Sequence, residues 1–336
     1  MKYQILGNTG VKVSSVALGT ANFGMRWGHG ASLDESRAIL DAFEADGGNF
    51  IDTADVYQFG ESEEFLGTLL QGRRDDFFLA TKYSSGAAKT AGGLVTGNSR
   101  RAMVSSVESS LKRLKTDRID LYWVHHPDDI TPSEELVRGL EDLSRAGKIL
   151  YAGLSNFSAW RLARAATLAE LSHAVPIVAS QFQYSLVSRQ PERDMLQACR
   201  ALQITPITWS PLGGGMLTGK YRAGEKGRAE GMGGKVFQAE NNEQRSAILD
   251  EVLAIAAETG ASPDQVAIAW VAAQECIPII GPRTQAQYVS NAGFSGLSLT
   301  DAQIGRLNSV SQFDNDIKTA PVQALPDHVI PGKPVA

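Results

Sequence analysis

Short apolar runs alternate with amphipathic stretches along most of the chain. Each run is rich in β-branched or aromatic residues and is followed by a loop and then by a stretch with helical spacing. Near the start, Tyr3–Leu6 and Val11–Val13 flank Asn8-Thr9-Gly10, which predicts a short β-hairpin. Eight further strands are predicted, at Val16–Leu18, Asn49–Asp52, Phe77–Thr81, Ile119–Val124, Ile149–Gly153, Ile177–Gln181, Thr205–Thr208 and Cys276–Ile280.

The helical stretches carry start and stop signals that fit this alternation. Ser32 is placed to cap the first of them, and Pro263 directly after Ser262 marks another start. Glycines such as Gly147 stand where helices should end. We predict helices over Leu33–Ala45, Glu61–Leu70, Arg100–Leu114, Ser133–Ala146, Ala159–Leu171, Pro191–Leu202, Arg245–Thr259, Pro263–Gln274, Thr284–Ala292 and Thr300–Val310.

This order of elements predicts an α/β fold with a closed sheet. Strands that alternate with helices pair in parallel and are covered by those helices. Eight successive units favour a (β/α)8 TIM barrel, since closure removes both sheet edges. The competing doubly wound sheet calls for G-x-G-x-x-G after the first strand, which Gly19-Thr20-Ala21-Asn22-Phe23-Gly24 does not fit. We therefore expect residues 1–336 to form a single barrel domain with an N-terminal hairpin and a C-terminal extension.

Composition removes several classes of function. With 43 % hydrophobic and 21 % charged residues the chain is typical of globular proteins. The net charge of −5 leaves no basic excess for a phosphate backbone, so no nucleic-acid partner is expected. The start of the chain lacks the apolar core of a signal peptide, and no run approaches the roughly 18 apolar residues of a membrane span. Together with only two cysteines, this predicts a cytoplasmic protein without membrane contact, of unspecified oligomeric state.

Polar side chains collect where the predicted strands end, which is where barrel enzymes place their chemistry. Asp52 and Tyr57 follow the second strand, Lys82 the third and His125 the fourth. A nearby cation favours the phenolate form of a tyrosine and lowers its pKa by roughly 1–3 units. Lys82 can supply that cation, Asp52 can keep Lys82 charged, and the ring of His125 can orient a carbonyl oxygen. Such a group protonates an alkoxide as it forms.

The same chemistry implies a cofactor. Reduction of a carbonyl needs a hydride at the carbon, and no side chain carries one, so a nicotinamide cofactor is expected. Ser155, Asn156 and Gln181 end the fifth and sixth strands and suit a carboxamide. Trp209, after the seventh strand, suits stacking against a flat ring.

Two segments resemble signatures of the aldo-keto reductase family. Residues Phe50 to Tyr57 (FIDTADVY), followed by Gly60-Glu61-Ser62-Glu63-Glu64, are similar to its first signature. Residues Gly281 to Asn291 (GPRTQAQYVSN) resemble its last signature, although Gly281-Pro282 stands where another branch has Lys-Ser. The resemblance implies a catalytic tetrad with Tyr57 as proton donor and an extended NADPH across the barrel mouth. The tetrad is Asp52, Tyr57, Lys82 and His125, and the implied cofactor residues are Ser155, Asn156, Gln181, Trp209, Ser210, Leu212, Lys220, Gly281, Arg283, Gln287 and Asn291.

Within the last signature, Arg283 is the main cation for a 2′-phosphate, which favours NADPH over NADH. Substrate contacts are expected from Trp27 in the first strand-to-helix loop and from Tyr83 and His126. His126 stands where the family often has tryptophan. A metal site is not expected, because adjacent residues on a strand, such as His125 and His126, point to opposite faces.

Two stretches depart from the strand–helix alternation. Leu212–Gly234 contains nine glycines, which is too flexible for a regular element and too long for an ordinary connection. Gly214 to Lys220 matches G-x-x-x-x-G-K, but Tyr221 stands where a P-loop needs a small hydroxyl for Mg²⁺. We interpret residues 212–244 as a long loop that covers the cofactor, with Lys220 near its pyrophosphate. Residues 311–336 form a proline-containing C-terminal tail in this interpretation.

The sequence thus favours an NADPH-dependent reductase that converts an aldehyde or ketone to an alcohol, reversibly. A bulky or polycyclic ketone, fungal-toxin ketones included, is one option for its substrate. The first alternative is a Schiff-base lyase with Lys82 as nucleophile. That alternative needs a neutral lysine, which Asp52 opposes. The second alternative is a slow, cofactor-sensing auxiliary protein.

Overall fold

A closed ring of parallel strands organises the molecule. The computed structural model of the protein describes residues 1–222 and 238–313. Eight strands, β3 to β10, pair in chain order, and β10 closes the ring by pairing with β3. The (β/α)8 barrel is therefore confirmed. The strands are β1 (Tyr3–Ile5), β2 (Lys12–Ser14), β3 (Ala17–Gly19), β4 (Phe50–Asp52), β5 (Phe78–Tyr83), β6 (Ile119–Val124), β7 (Ile149–Ser155), β8 (Ile177–Gln183), β9 (Thr205–Trp209) and β10 (Ile277–Ile280).

Helices cover the outside of the ring and begin mostly at side-chain caps. Ser32 accepts a hydrogen bond from the backbone N–H of Glu35, and Ser262 forms a capping box with Gln265. The helices are α1 (Leu33–Ala45), α2 (Glu61–Leu69), α3 (Arg100–Leu114), α4 (Ser133–Arg145), α5 (Ala159–Leu171), α6 (Met195–Ala201), α7 (Glu243–Thr259), α8 (Pro263–Ala273), α9 (Gln285–Ala292) and α10 (Asp301–Val310).

The predicted hairpin closes the amino end of the barrel. Its strands β1 and β2 pair antiparallel, with Tyr3 opposite Ser14. Leu6 and Val13 are fully buried and pack into the barrel interior, and the backbone N–H of Gly7 donates to Thr205 Oγ1 at 2.6 Å. Because Thr205 begins β9, this contact lies at the amino end. The carboxyl end is left as the open mouth.

Two buried layers hold the barrel together. The inner layer, inside the ring, includes Phe50, Leu121 and Trp123. The outer layer, between strands and helices, includes Tyr83 and Tyr122. Alternation along each strand sends successive side chains to these two layers.

The structure corrects several predicted boundaries. The predicted helix Pro191–Leu202 is divided into a 3-10 turn at Gln190–Glu192 and α6, because Asp194 has an extended φ of −147°. Helix α7 begins at Glu243, where Asn242 caps the backbone of Arg245. Part of the segment judged too flexible for regular structure forms a 3-10 turn, Gly213–Thr218, in which Gly214 and Gly215 supply positive φ angles.

The predicted long loop and tail are only partly covered by the structure. Residues 223–237 and 314–336 lie outside the described residues, so the covering role of 212–244 and the tail 311–336 stay predictions. Among the helices that the structure describes, none has the length and apolar character required to cross a bilayer.

Candidate active site

Two neighbouring strands, β4 and β5, bring Asp52, Lys82 and Tyr57 together at the barrel mouth. Asp52 is the last residue of β4, and Lys82 lies in β5 with its side chain fully buried. The ammonium of Lys82 pairs with Asp52 Oδ1 and donates to the carbonyl of Thr53 at 2.8 Å. Lys82 Nζ also lies 3.2 Å from the hydroxyl of Tyr57, in the turn that follows β4. The predicted proton donor thus touches the predicted cation.

Electrostatics keep Lys82 charged in this position. Burial of the amine lowers its pKa, but Asp52 and Tyr57 act in the opposite sense and together hold the pKa of Lys82 above its usual value. The ammonium also lies 4.8 Å from the centre of the Tyr57 ring. Tyr57 therefore has a permanent positive charge beside its hydroxyl.

His125 completes the group from the end of β6. Its ring meets the ring of Tyr57 edge to face at 5.9 Å between centroids. Burial, reinforced by the charges of Lys82 and His126, holds the pKa of His125 well below its usual value, so the ring is neutral near pH 7. Its Nδ1 atom is buried and has no hydrogen-bond partner among the described residues. A neutral ring next to Tyr57 can donate or accept one hydrogen bond to a ligand.

His126 departs from the expectation that it faces away from His125. The two rings stack, with centroids 4.2 Å apart and planes 16° apart. Strand β6 ends at Val124, so strand alternation no longer separates the two side chains. Over residues 1–222 and 238–313, no group of three or more His, Cys, Asp or Glu side chains could hold a metal ion.

A cavity of about 1050 Å³ runs from this group across the barrel mouth. Trp27, Tyr57 and His126 line one end, and Arg283 with Asn291 lines the other. Most of the residues predicted for catalysis, cofactor and substrate therefore lie on one surface. The others on that lining are Asp52, His125, Asn156, Gln181, Trp209, Ser210, Leu212, Lys220, Gly281 and Gln287.

Three predicted site residues do not line the cavity. Lys82 and Ser155 are fully buried directly behind the lining, where Ser155 Oγ accepts from Asn156 Nδ2 at 3.0 Å. Tyr83 does not lie where a substrate contact was expected. Its ring stacks on Tyr122 at 5.2 Å in the outer layer, and its hydroxyl donates to the carbonyl of Asn98. Because Lys82 faces the barrel interior, its neighbour on the strand must face outward.

Two amide side chains are locked next to the catalytic group. Gln181 Nε2 donates to Asp52 Oδ2 at 2.9 Å. An ionised carboxylate only accepts, so this bond fixes the amide orientation and leaves Gln181 Oε1 as an acceptor. Asn156 Nδ2 donates to the carbonyl of His125 at 2.9 Å, and Asn156 Oδ1 accepts from Trp209 Nε1 at 3.1 Å. The positions predicted to hold a carboxamide therefore share hydrogen bonds with the predicted tetrad.

The far end of the cavity is organised by residues that the sequence analysis did not identify. Asp264 Oδ2 accepts from Ser290 Oγ at 2.8 Å and from Asn291 Nδ2 at 2.7 Å. Asn22 Nδ2 donates to the carbonyl of Gly281 at 2.8 Å. Asp264 could have been found from its place in the first turn of α8, directly after the start signal Ser262-Pro263.

The glycine turn after β9 shapes the cavity between its two ends. Ser210 Oγ accepts from the backbone N–H of Gly214 at 2.9 Å. The Lys220 side chain folds over Gly215, where a Cβ would come within 3.1 Å of the ammonium. Arg222 pairs with Glu240 and lies 2.5 Å from Asp250 Oδ1. The positive φ of 93° at Gly215 is the feature that favours glycine at this position.

Comparisons with known proteins agree with this geometry. The model of the Aldo/keto reductase family matches residues 15–312. An uncharacterized oxidoreductase of Bacillus subtilis, YrpG, is 35 % identical over 323 residues, which cover 92 % of this chain and 96 % of that protein. An aryl-alcohol dehydrogenase [NADP(+)] of Phanerodontia chrysosporium is 33 % identical, covering 93 % and 86 %. The norsolorinic acid reductase stcV of Emericella nidulans is 32 % identical, covering 91 % and 80 %.

The family match, taken together with the barrel and its mouth, makes the chain an oxidoreductase of the nicotinamide-dependent class. The chain belongs to the aldo/keto reductase family, as the match over residues 15–312 shows. The family and the named relatives support an enzyme that reduces small-molecule carbonyl compounds.

Proposed function

We propose that the protein is an NADPH-dependent reductase of aldehydes or ketones in which Tyr57 donates the proton. One observation carries the proposal: the hydroxyl of Tyr57 lies 3.2 Å from a buried, charged Lys82 at the edge of a large cavity. A phenol in that position can release its proton to an oxyanion that forms beside it.

The residues present fit a nicotinamide dinucleotide. The cavity is as large as the largest usual ligand pockets, and its lining carries amide, indole and guanidinium side chains. Asn156 and Gln181 would hold the carboxamide, Trp209 would stack on the ring, and Arg283 would hold the adenosine phosphate. When bound, this cofactor supplies a hydride to the carbonyl carbon.

Each member of the tetrad has one task. The His125 ring donates a hydrogen bond to the carbonyl oxygen and orients it toward Tyr57. As negative charge develops on that oxygen, the Tyr57 hydroxyl transfers its proton to it. Lys82 stabilises the phenolate that remains, and Asp52 keeps Lys82 charged and in place. The rings of Trp27 and His126 line the cavity beside this point.

Charge at the far end supports NADPH over NADH. Arg283 and Lys220 both line the cavity, and an arginine guanidinium binds phosphate oxygens in a fixed two-point geometry. Only NADPH carries the 2′-phosphate, so Arg283 would distinguish the two cofactors. One relative carries NADP(+) in its own name, which agrees with this preference.

Aromatic walls support a bulky, flat carbonyl substrate. The Trp27 ring meets the rings of Tyr57 and Phe59 edge to face, at 6.2 Å and 6.3 Å. His126 adds a second, exposed ring to the same opening. Relatives are named for aryl alcohols and for norsolorinic acid. We propose an aromatic or polycyclic aldehyde or ketone for this chain.

The Schiff-base alternative is disfavoured by the state of Lys82. A lysine that attacks a carbonyl must be neutral. Asp52 pairs with this ammonium and holds its pKa above the usual value. Borohydride treatment with a carbonyl substrate is expected to leave Lys82 unmodified, and mass spectrometry of the tryptic peptides checks this. A reduced adduct on Lys82 would favour the lyase.

A screen of NADPH consumption tests the proposal. Aromatic aldehydes, quinones and bulky ketones are compared in the parent enzyme, Tyr57→Phe and Tyr83→Phe. Tyr83→Phe is the matched control, since it removes a phenol hydroxyl that lies outside the cavity. We expect turnover in the parent and in Tyr83→Phe and its loss in Tyr57→Phe. Equal turnover in all three would refute proton donation by Tyr57.

A further inference from the structure

The loop between β3 and α1 forms one wall of the cavity. It carries Trp27, whose ring meets the ring of Tyr57 edge to face at 6.2 Å between centroids and lines the same cavity. Phe23 and Ala31 anchor the two ends of this loop in the core, but residues 25–30 between them are exposed or half-buried, so the position of this middle part depends on what fastens it. The residues that fasten it come from the segment directly after Tyr57.

The side chain of Gln58 is hydrogen-bonded to this loop at Trp27 and at His29. The glutamine is fully buried, its Oε1 accepts from the backbone N–H of Trp27 at 2.7 Å, and its Nε2 donates to the carbonyl of His29 at 2.9 Å. A second acceptor, the carbonyl of Ala21, lies 3.4 Å from Nε2. Because both ends of this buried amide are hydrogen-bonded to one loop, the side chain ties that loop to the backbone of Gln58.

The backbone conformation of Gln58 shows that placing a glutamine at this position has an energetic cost. Its φ of 52° is in the left-handed region, which non-glycine residues occupy only at an energetic cost. A glycine would adopt the same conformation without that cost. What glutamine adds at this position is its side chain, and the contacts of that side chain are with the Trp27 loop.

Glu61 holds the preceding part of the same loop. Its Oε2 accepts from the backbone N–H groups of Met25 at 2.6 Å and Arg26 at 3.0 Å. Gly24 permits this close approach, since a Cβ there would lie 2.6 Å from Glu61 Oε2 and 3.0 Å from Gln58 Cβ. Arg26 adds a third hold, since its guanidinium pairs with Glu64 at 2.6 Å and donates to the carbonyl of Phe59 at 3.3 Å. The loop is thus fastened at three points by the turn that carries Tyr57 and by the helix that follows it.

We propose that Gln58 is a positioning residue that holds Trp27 against Tyr57 and thereby sets the affinity for the part of the substrate that does not react. This inference rests on the proposed reductase function. Gln58 is not among the residues of the cavity lining, so it acts only through the loop. Without its bonds the loop would leave Tyr57, and flat aromatic substrates would lose the wall they lie against.

Two variants separate the side-chain bonds from the backbone strain. Gln58→Met keeps the length and the strain but removes both bonds, and Gln58→Gly removes the bonds and relieves the strain. His173→Gly is the control, because His173 has the same φ of 52° at an exposed position after α5. KM and kcat are measured with benzaldehyde and propanal, and NADPH binding is measured by fluorescence.

We expect both Gln58 variants to raise the KM for benzaldehyde about tenfold, as the loss of two buried hydrogen bonds would allow. The KM for propanal and the Kd for NADPH should stay within about twofold of the parent values, because neither depends on the Trp27 wall. His173→Gly should match the parent in every constant. Equal rises for both aldehydes, or no rise for benzaldehyde, would overturn the proposal.

Tryptic cleavage after Arg26 gives a readout that needs no catalysis. Arg26 lies in the loop with an exposed side chain, and local opening exposes such a bond to the protease. Cleavage there should be about tenfold faster in both Gln58 variants than in the parent and in His173→Gly. Unchanged cleavage rates would contradict the proposed role of Gln58 in holding the loop. A parent enzyme without NADPH-dependent turnover would refute the proposed function, whereas the cleavage rates would still test Gln58.

Discussion

The two ends of the cavity are built in opposite ways. At the catalytic end, Lys82 and Asp52 are buried and neutralise each other. At the far end, where the adenosine is proposed to bind, Arg283 lies on the loop that leads into α9 and makes no ion pair within residues 1–222 and 238–313. A charge that is already paired can be held in one geometry and used to tune a neighbour. A charge that is unpaired gains its partner from the ligand, so it contributes chiefly to affinity. The catalytic end should therefore control rate, and the far end should control binding.

Tyr57→Phe has the largest expected effect and tests the first half of this contrast. It removes the acid and leaves the cofactor contacts in place. We expect kcat to fall about a thousandfold, within the usual range for loss of a general acid. The Kd for NADPH should remain within about twofold of the parent value. Single-turnover kinetics and cofactor fluorescence measure the two quantities. A large loss of NADPH affinity would mean that Tyr57 also contributes to cofactor binding, so that rate and binding are not controlled by different ends of the cavity.

Asp55, which lies between β4 and Tyr57, provides a second test through the pH dependence of stability. Its carboxyl is 1 % exposed; burial, together with the charge of Glu63, raises its pKa to about 7 although Arg113 opposes the shift. The folded protein therefore keeps this proton up to about pH 7, whereas the unfolded chain loses it near pH 4. Between these values the folded state binds more protons, so this contribution to stability is lost as the pH rises.

Asp55→Asn should remove that dependence. The free energy of unfolding of the variant minus that of the parent should rise by on the order of 3 kcal/mol between pH 5 and pH 8. Urea denaturation at the two pH values measures it. Asp129→Asn, at an exposed position, is the matched control and should show no such rise. A constant difference for Asp55→Asn would mean that Asp55 is ionised throughout this range.

Arg283→Ala tests the binding half of the contrast. Loss of a charge-assisted contact to the 2′-phosphate should weaken NADPH binding by about tenfold to a hundredfold. NADH lacks that phosphate, so its Kd should change by about twofold or less. Titration of both cofactors without substrate gives the two values. Equal weakening of NADPH and NADH would assign Arg283 to a part of the dinucleotide that they share.

Lys220→Ala should have the smallest effect. Unlike Arg283→Ala, it should affect the binding of both cofactors equally. We place Lys220 near the pyrophosphate, which both cofactors carry. As a partly exposed point charge it should contribute only a several-fold gain in affinity, about threefold to fivefold. The same titrations should show equal weakening for NADPH and NADH. A selective loss of NADPH would instead place Lys220 at the 2′-phosphate.

The parts of the molecule that follow from periodicity were the most predictable. The eight strands and their closure, which the structure confirms, could be predicted because β-branched runs and helical stretches alternate along most of the chain. Asp52, Lys82 and His125 come together because each stands at the carboxyl end of a strand, and those ends share one mouth. Their catalytic roles stay proposals that the variants above test.

The errors arose where geometry is decided by one residue. Tyr83 directly follows Lys82, so strand alternation alone excludes it from the interior. His126 lies beyond the last paired residue of β6, where alternation no longer applies. The contacts of Gln58 and Asp264 depend on loops that fold back across the chain. No spacing rule predicts which loop carbonyl a buried amide will meet.

The carboxylate of Asp52 has one oxygen for each half of the site. Oδ1 pairs with the ammonium of Lys82, and Oδ2 accepts from the amide of Gln181. The proposed proton delivery and the proposed nicotinamide position are therefore joined through a single residue. Replacing Asp52 should shift kcat and dinucleotide affinity together, which no other substitution in the tetrad is expected to do.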